Sequence, residues 1–196
     1  MKVEEAIYGK YKMRAGKLGE KYVARAFVAD SKARGHIAEA EGASSTEALA
    51  ALRDQLEQRA RDRVKSRRRI ERIDFHVPTT EEYLEALQAI GPSPKESDML
   101  GTHAKAGDKG LTPLQIARAG GYDSISNANA LYGKLGRKLS VQLGVDPPPS
   151  TVRGGDVATG LLATYEHDPQ GGDTMVWIMH DELRTAIVGY QSSRKA

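Results

Sequence analysis

Residues 22–30, YVARAFVAD, alternate between the two faces of an extended chain. One face would carry Tyr22, Ala24, Ala26 and Val28, and the other Val23, Arg25, Phe27 and Ala29. Such alternation is typical of a strand that packs one face on a core. The segments GKYKMRAG and GHIAEAEG are shorter strand candidates, with turns at 16–19 and 30–35. The pattern therefore predicts a small three-stranded antiparallel sheet within residues 6–41.

A long helix is predicted to follow this sheet. Ser44 and Glu47 match a capping box at its start. The apolar positions of its buried stripe are Leu49, Leu52, Leu56 and Val64. The basic residues that follow continue the helix toward Arg69, where cations complement the helix dipole. Residues 1–72 are thus predicted to form a β-β-β-α module with a basic helix end.

The rest of the chain has the pattern of a mainly helical domain. Helices are predicted at 81–90, 95–104, 113–119, 126–143 and 181–190, separated by Gly and Pro. Segments 157–166 and 174–179 predict two strands that form a hairpin before the last helix. The predicted fold class is α+β, with the first module followed by a helix-turn-helix-like domain over 79–196.

Composition excludes several classes of protein. The 196 residues include no Cys, which excludes disulfides, thiolate metal sites and a Cys nucleophile. No apolar run reaches the roughly 20 residues that span a bilayer, and MKVEEAIYGK lacks the apolar part of a signal peptide. We therefore expect a cytoplasmic protein with no membrane partner.

Catalytic motifs are absent from the sequence. The five His residues include no HExxH pair and no spacing that places two ligands on one helical face. His167 with Asp168, and His180 with Asp181 and Glu182, are interpreted as surface polar residues. The stretches GDKGLT and GGDTM match turns and not a phosphate-binding loop. The sequence predicts a non-enzyme that holds neither a metal nor a cofactor.

Charge is distributed unevenly along the chain. Residues 1–78 hold 18 Lys and Arg against 12 Asp and Glu, whereas residues 79–196 hold 11 against 14. The segment 59–72, RARDRVKSRRRIER, has eight basic residues in fourteen. Such density favours binding to nucleic-acid phosphates, although an acidic protein surface would satisfy it equally well. The candidate phosphate-binding residues here are Arg59, Arg63, Lys65, Arg67, Arg68, Arg69 and Arg72.

Residues 111–139, LTPLQIARAGGYDSISNANALYGKLGRKL, carry the most specific local pattern. Ala117 followed four residues later by Gly121 resembles the turn of a helix-turn-helix, where a small residue lets two helices approach. The predicted core positions are Leu111, Leu114, Ile116, Ile125, Leu131, Leu135 and Leu139. Helical corners of this kind also occur in domains that bind no DNA.

The second helix of this corner supplies a candidate reading surface. Its N-terminal end presents Ser124, Ser126 and Asn127, and Asn forms paired hydrogen bonds with adenine in the major groove. The cations further along the helix are Lys134, Arg137 and Lys138. Contacts from these cations to phosphates would position the protein without specifying a sequence.

Two resemblances accompany these patterns. ML-x-x-H at 99–103, GLTPLQIARAGGY, LYGKLGRKL and VWIMHDELRTAI resemble an uncharacterised helical module of bacterial and phage-borne proteins, sometimes found beside an HNH nuclease domain. The resemblance covers about residues 95–190 and implies a phage, mobile-element or host-defence setting. This chain has no HNH cluster, so nuclease activity is not implied.

The N-terminal module resembles integrase arm-binding domains and double-stranded-RNA-binding domains. In integrase-type modules the sheet enters the major groove, which implies DNA contacts by basic strand residues. The matching residues here are Lys10, Lys12, Arg14, Lys17, Lys21 and Arg25. Glu39 and Glu41 on the third predicted strand would repel phosphate if they share that face.

Two functions follow from the sequence. The first is a non-catalytic protein that binds duplex DNA, as a phage or mobile-element regulator or accessory factor, possible as a homodimer on two half-sites. The alternative is a protein-binding inhibitor, such as an anti-defence, anti-CRISPR-like or DNA-mimic factor acting on a nucleic-acid-handling complex. Residues 145–190 hold seven acids against two Arg, and the predicted hairpin carries Glu166, Asp168 and Asp173.

Overall fold

The computed structural model describes residues 3–29, 35–150, 155–167 and 175–193. The chain divides into two compact units, Met1–Ser66 and Arg67–Ala196. The first combines an antiparallel sheet with one helix, and the second is mainly helical with two small hairpins. The predicted α+β class is confirmed. The first unit therefore ends at Ser66, six residues before the end of the predicted first module at residue 72.

The sheet of the first unit has four strands rather than the three predicted. The strands are β1 (Glu4–Tyr8), β2 (Tyr11–Leu18), β3 (Lys21–Val28) and β4 (Ala38–Gly42). They pair antiparallel in the order β1-β2-β3-β4, so β1 is an edge strand. Its residues are mostly exposed, and its sequence EEAIY lacks the apolar alternation that identified β3. The sequence pattern therefore missed it.

One face of this sheet packs on helix α1 (Ser45–Ser66). The Ser44 hydroxyl accepts a hydrogen bond from the Glu47 amide (3.2 Å), as the capping box predicts. Tyr22, Ala24, Ala26 and Val28 all belong to the core beneath α1, as their alternation predicted. The helix buries Ala48, Leu52 and Leu56 against them.

The end of α1 differs from the prediction in two ways. Val64 is 55% exposed, and the buried position of that turn belongs to Arg63. Two turns of helix after Leu56 span about seven residues, which brings residue 63 back to the buried face. The helix also ends at Ser66 and does not reach Arg69, because the chain then enters a strand, Arg68–Ile70.

The second unit begins with a hairpin of β5 (Arg68–Ile70) and β6 (Phe75–Val77). Five helices follow in the described part of the unit: α2 (Thr80–Ile90), α3 (Pro94–Ala106), α4 (Pro113–Ala119), α5 (Ile125–Leu143) and α6 (Asp181–Ser193). All five lie within a few residues of their predicted bounds. Complete capping boxes start α2, α3 and α4, and such local signals are readable from sequence.

The second hairpin of this unit consists of β7 (Ala163–His167) and β8 (Met175–Met179). The strand predicted at 157–166 therefore starts later, because Ala158–Leu161 forms a 3-10 turn. This turn packs against α5 and buries its apolar residues there. Among the described residues, no helix has the length and apolar character needed to cross a membrane.

Candidate nucleic-acid interface

Helices α4 and α5 meet through a short turn at residues 120–124. The Tyr122 amide donates to the Ala117 carbonyl oxygen at 3.0 Å, and the Ala117 side chain is fully buried. Gly121 has φ +77°, a left-handed conformation that favours glycine. Ala117 is thus a buried small residue before the turn, and Gly121 takes a conformation within the turn that favours glycine.

Helix α5 is anchored in the core by a buried hydrogen-bond network that includes His103 and Tyr132. The His103 Nε2 lies 2.7 Å from the Trp177 carbonyl oxygen, and Nδ1 lies 3.1 Å from the Tyr132 hydroxyl. A carbonyl oxygen only accepts, so Nε2–H donates and Nδ1 accepts from Tyr132. Burial lowers the pKa of His103 to about 4, so the ring is neutral at pH 7.

A close approach also fixes α5 from the other side. A Cβ atom at Gly136 would overlap the carbonyl oxygen of Ala158 in the neighbouring 3-10 turn. Leu135 and Leu139 are buried, as predicted. Ile125 was also predicted to be in the core, but it is 51% exposed because the first turn of α5 extends beyond the core. The helix is therefore buried from its second turn onward and open at its start.

The outward side of α5 forms one continuous surface, which we call the α5 face. Its residues, at helical spacings of three and four, are Ser126, Ala130, Lys134, Arg137 and Val141. Asn127 is exposed beside it, and Ser124 caps the helix by accepting from the Ser126 amide (3.2 Å). The sequence of α5 contains no acidic residue, so the helix itself brings no repulsion to phosphate.

The exposed cations of α4 and α5 differ in their carboxylate partners. Lys134 and Arg137 are exposed, and no carboxylate of the described residues lies within 4.0 Å of their nitrogens. Arg118 on α4 has the same status. Lys138, predicted to contact phosphate, instead places its Nζ 3.0 Å from a Glu96 oxygen. Arg118 was not among the residues predicted to contact phosphate.

The basic run at 59–72 is divided between the two units. In the first unit, the Arg59 guanidinium donates to the Ile37 carbonyl oxygen (2.9 Å). Arg63 is buried, and its guanidinium lies 3.3 Å from the Tyr11 hydroxyl. Lys65 is exposed near the helix end. The run therefore does not form the single basic helix end that was predicted.

The arginines in the second half of the basic run form ion pairs within the second unit. Arg67 forms a two-point contact with Glu82 at 2.6 and 3.1 Å, and both side chains are largely buried. Arg69 contacts Asp74 (2.7 Å) within its own hairpin. Each of these guanidiniums already has the carboxylate partner that a phosphate would have to replace.

Two further pairs join the basic run to the acidic stretch at 145–190. Arg68 contacts both oxygens of Glu182 at 2.9 and 3.0 Å, and Arg72 pairs with Glu166. Two cations of the basic run are therefore neutralised by two acids of the acidic stretch. Asp168 and Asp173, the other acids of the proposed DNA-mimic hairpin, lie outside the described residues.

The interpretation of His180 as a surface polar residue was wrong. It was assigned to the surface, but it is buried, with Nε2 2.8 Å from the Gly160 carbonyl oxygen. Burial lowers its pKa, which keeps the ring neutral at pH 7. Its neighbours Asp181 and Glu182 are ion-paired with Arg184 and Arg68. These residues hold the fold together through paired and buried polar contacts.

The candidate cations of the sheet are also largely paired. Four of them lie on the face away from α1, where each contacts a carboxylate of a neighbouring strand: Lys12–Glu5, Arg14–Glu5, Lys21–Glu41 and Arg25–Glu39. Lys10 lies in the turn before β2, and Lys17 points by alternation to the other face. Glu39 and Glu41 thus share the face with the cations, which disfavours phosphate there.

Comparison with known proteins adds no assignment. The chain matches no protein-family model, no curated protein and no solved structure.

Proposed function

We propose that the second unit binds duplex DNA through the α5 face and catalyses no reaction on it. The observation that carries this proposal is the state of Lys134 and Arg137. Both are exposed on a helix without acidic residues, and no described carboxylate neutralises them. Cations in this state gain most from a phosphate, because they lose no existing partner.

The spacing along α5 suits a helix end placed in the major groove. Lys134 follows Ser126 by eight residues, which is about 12 Å at about 1.5 Å per residue. That distance is about the width of the groove, so a helix whose first turn reaches base edges brings Lys134 and Arg137 to flanking phosphates. Ser126 and Asn127 are the residues in position to contact bases.

The basic run supports DNA binding less well than its composition suggests. Arg67 is 14% exposed and is held by Glu82, so it cannot reach a phosphate without breaking a buried pair. Arg68, Arg69 and Arg72 are more exposed, but each would exchange one anion for another. We therefore assign the run a structural role and place the phosphate contacts on α5 and Arg118.

Fluorescence anisotropy of labelled duplex DNA across a salt series tests the proposal. The variant Lys134→Gln/Arg137→Gln should weaken binding at about 0.1 M salt by at least tenfold, about 1.4 kcal/mol. It should also flatten the log–log salt dependence by about 1.8, since each lost phosphate contact contributes about 0.9. Both effects follow from the loss of two unpaired cations.

The matched control is Lys105→Gln/Lys109→Gln. It removes two exposed charges from the same unit, on α3 and the turn after it rather than on α5, and no described carboxylate pairs with either lysine. We expect affinity within twofold of the unmodified protein. Equal losses in both double variants would show a nonspecific response to net charge, and no binding at low salt would refute the DNA proposal.

A protein-binding inhibitor that mimics DNA is the alternative function. Such a surface needs carboxylates that face solvent unpaired, whereas Glu166 and Glu182 are paired with Arg72 and Arg68. The described residues therefore favour DNA binding over mimicry. The phage or mobile-element setting, the cytoplasmic location and a homodimer on two half-sites stay predictions from the sequence.

A further inference from the structure

Strand β1 lies at an edge of the four-stranded sheet, with β2 on one side only. The Lys10 carbonyl oxygen accepts a hydrogen bond from the Ala29 amide (2.9 Å), so even-numbered residues of β2 bond to β3 and odd-numbered ones bond to β1. Every second residue of β1 from Glu4 onward therefore bonds to β2. Glu5 and Ile7 alternate with these and direct their backbone N–H and C=O groups outward. We call this outward side of β1 the β1 edge, and no strand of the described residues pairs with it.

The β1 edge is weakly protected against pairing with another strand. Natural edge strands are blunted by Lys, Pro or bulges, whereas β1 contains no Lys or Pro and pairs one to one with β2. Glu5 is neutralised by Lys12 and Arg14, and Ile7 is 76% exposed. Glu4 is exposed, and no cation of the described residues lies within 4.0 Å of its carboxylate. The edge therefore combines free backbone groups, an exposed apolar side chain and an unpaired acid.

A second β1 strand fits this edge in an antiparallel register centred on Ala6. All residues of β1 then have a partner, because Glu5 lies opposite Ile7 of the second copy and Glu4 lies opposite its Tyr8. The outward-facing residues thus meet each other, and each such pair exchanges both of its N–H···O bonds. No carboxylate directly faces another, as it would in a register centred on Glu5. Ala6 on the axis is small enough for the close approach of a pair without hydrogen bonds.

Helix α1 places an unpaired cation beside this edge. The Arg53 guanidinium lies 5.2 Å from the centre of the Tyr8 ring, and no carboxylate of the described residues is within 4.0 Å of its nitrogens. Glu57, which accepts the Tyr8 hydroxyl (3.1 Å), has its own cation in Arg61 (3.8 Å). In the register centred on Ala6, Glu4 of the second copy lies opposite Tyr8 on the same face, and hence beside Arg53.

This contact is available only between two copies. Within one chain Glu4 and Tyr8 are four residues apart on β1, which is about 13 Å, and Glu4 forms no ion pair with its own Arg53. The symmetric pairing brings each unpaired Glu4 to the unpaired Arg53 of the other copy. The same register therefore satisfies the free backbone groups and the free charges together.

We infer that the β1 edge binds a second copy of this chain, in an antiparallel pairing about Ala6 that joins two four-stranded sheets into one. The interface is isologous, so each copy contributes the same surface. The two Ile7 side chains lie on one face of the joined sheet at diagonal positions, about 7–8 Å apart. A five-residue strand buries little surface, so the dimer exchanges with the monomer. The association uses no residue of α5 and is independent of DNA binding.

Sedimentation equilibrium of the full-length chain, in a concentration series up to about 0.5 mM, tests the inference. The unmodified chain should show a reversible monomer–dimer equilibrium. Ile7→Pro should weaken dimerisation at least tenfold, because it removes an outward N–H group and no bond between β1 and β2. Ile7→Val is the matched control, since it keeps the N–H group and a branched apolar side chain, and its dimerisation should stay within threefold.

A charge exchange tests the contact between the copies. Glu4→Arg and Arg53→Glu should each weaken dimerisation at least tenfold, because like charges then meet across the interface. The double variant Glu4→Arg/Arg53→Glu should restore dimerisation to within threefold of the unmodified chain. A contribution of either residue to its own chain alone would give no such rescue. Circular dichroism confirms that each variant is folded.

Cross-linking identifies the register, because the chain contains no Cys. Ala6→Cys places two thiols at a pair whose Cα atoms are about 4.5 Å apart, within the range of a disulfide. Ile7→Cys, on the same strand, leaves its thiols on diagonal positions and should form the disulfide dimer more slowly. The inference is overturned if the chain stays monomeric, if Ile7→Pro dimerises like the unmodified chain, if the charge exchange gives no rescue, or if Ile7→Cys cross-links faster than Ala6→Cys.

Discussion

Segment 67–72 has many cations that are already ion-paired, whereas the α5 face has few cations and these have no described counter-charge. Four arginines in segment 67–72 each contact a carboxylate, and one of them, Arg67, is largely buried with its partner. The α5 face has only Lys134 and Arg137, yet neither has a described counter-charge. Binding to an anion depends on the charge that the fold leaves uncompensated, and not on how densely cations follow one another in the sequence.

The partners of the two regions explain this difference. Arg68 and Arg72 are paired with Glu182 and Glu166, which lie 114 and 94 residues further along the chain. The fold thus brings acids to the basic segment from far away. On α5, by contrast, the same fold places Lys134 on the outside and fills the inside with Tyr132, Leu135 and Leu139.

The largest expected effect is on stability alone: one substitution in segment 67–72 should destabilise the fold without changing DNA affinity. Arg67→Ala should lower the free energy of unfolding by about 3 kcal/mol, because Glu82 is left largely buried without its cation. Urea unfolding measures this loss. DNA affinity of the folded variant should stay within twofold, since Arg67 contacts no phosphate in our proposal. A variant that keeps its stability but loses DNA binding would reverse the roles of the two regions.

The anchoring of α5 predicts a pH dependence. The pKa of His103 is about 4 in the folded protein and near 6.5 in the unfolded chain, so the unfolded state binds more protons between these values. Stability from this group is complete above pH 6.5 and falls by about 3 kcal/mol as pH decreases to 4.

Urea unfolding at several pH values checks this window. His103→Gln should flatten the loss, while His76→Gln, at an exposed position, should retain it. His180 has the same direction of pKa change and contributes in the same sense. An equal pH dependence in His103→Gln and the unmodified chain would assign the effect to other groups.

The smallest expected effect compares the two regions directly, because two variants remove the same number of charges from each. Arg69→Gln/Arg72→Gln removes the same number of charges as Lys134→Gln/Arg137→Gln, but from exposed ion pairs. We expect each pair to contribute less than about 1 kcal/mol to stability, and DNA affinity to change less than threefold. Anisotropy at about 0.1 M salt compares the two variants directly. A larger loss from Arg69 and Arg72 would place the phosphate site on the basic run.

Local signals explain what the sequence predicts well. The helices of the second unit start at Thr79, Ser93 and Thr112, whose side chains cap their own first turns within three residues. The strand β3 is recognisable because its alternation matches the core that it faces. Elements whose cause lies within a few residues are therefore readable without the fold.

Features that depend on distant residues were missed. The edge strand β1 owes its structure to pairing with β2 and not to its own sequence. Segment 68–70 was predicted to be helical, yet it pairs with β6 instead. The candidate site shows the same limit, because the ion pairs of Arg68 and Arg72 cannot be inferred from spacing. Of the residues predicted on α5, Ser126, Asn127, Lys134 and Arg137 are exposed, whereas Lys138 is paired with Glu96.

The ion pair between Arg68 and Glu182 has a consequence for how the protein is made. The first unit joins residues that are close in sequence, so it can fold while the ribosome is still synthesising the second. Arg68 must wait until Glu182 has emerged, 114 residues later. During synthesis Arg67 and Arg69 thus gain their partners Glu82 and Asp74 early. Arg68 and Arg72 stay uncompensated until Glu182 and Glu166 have been made.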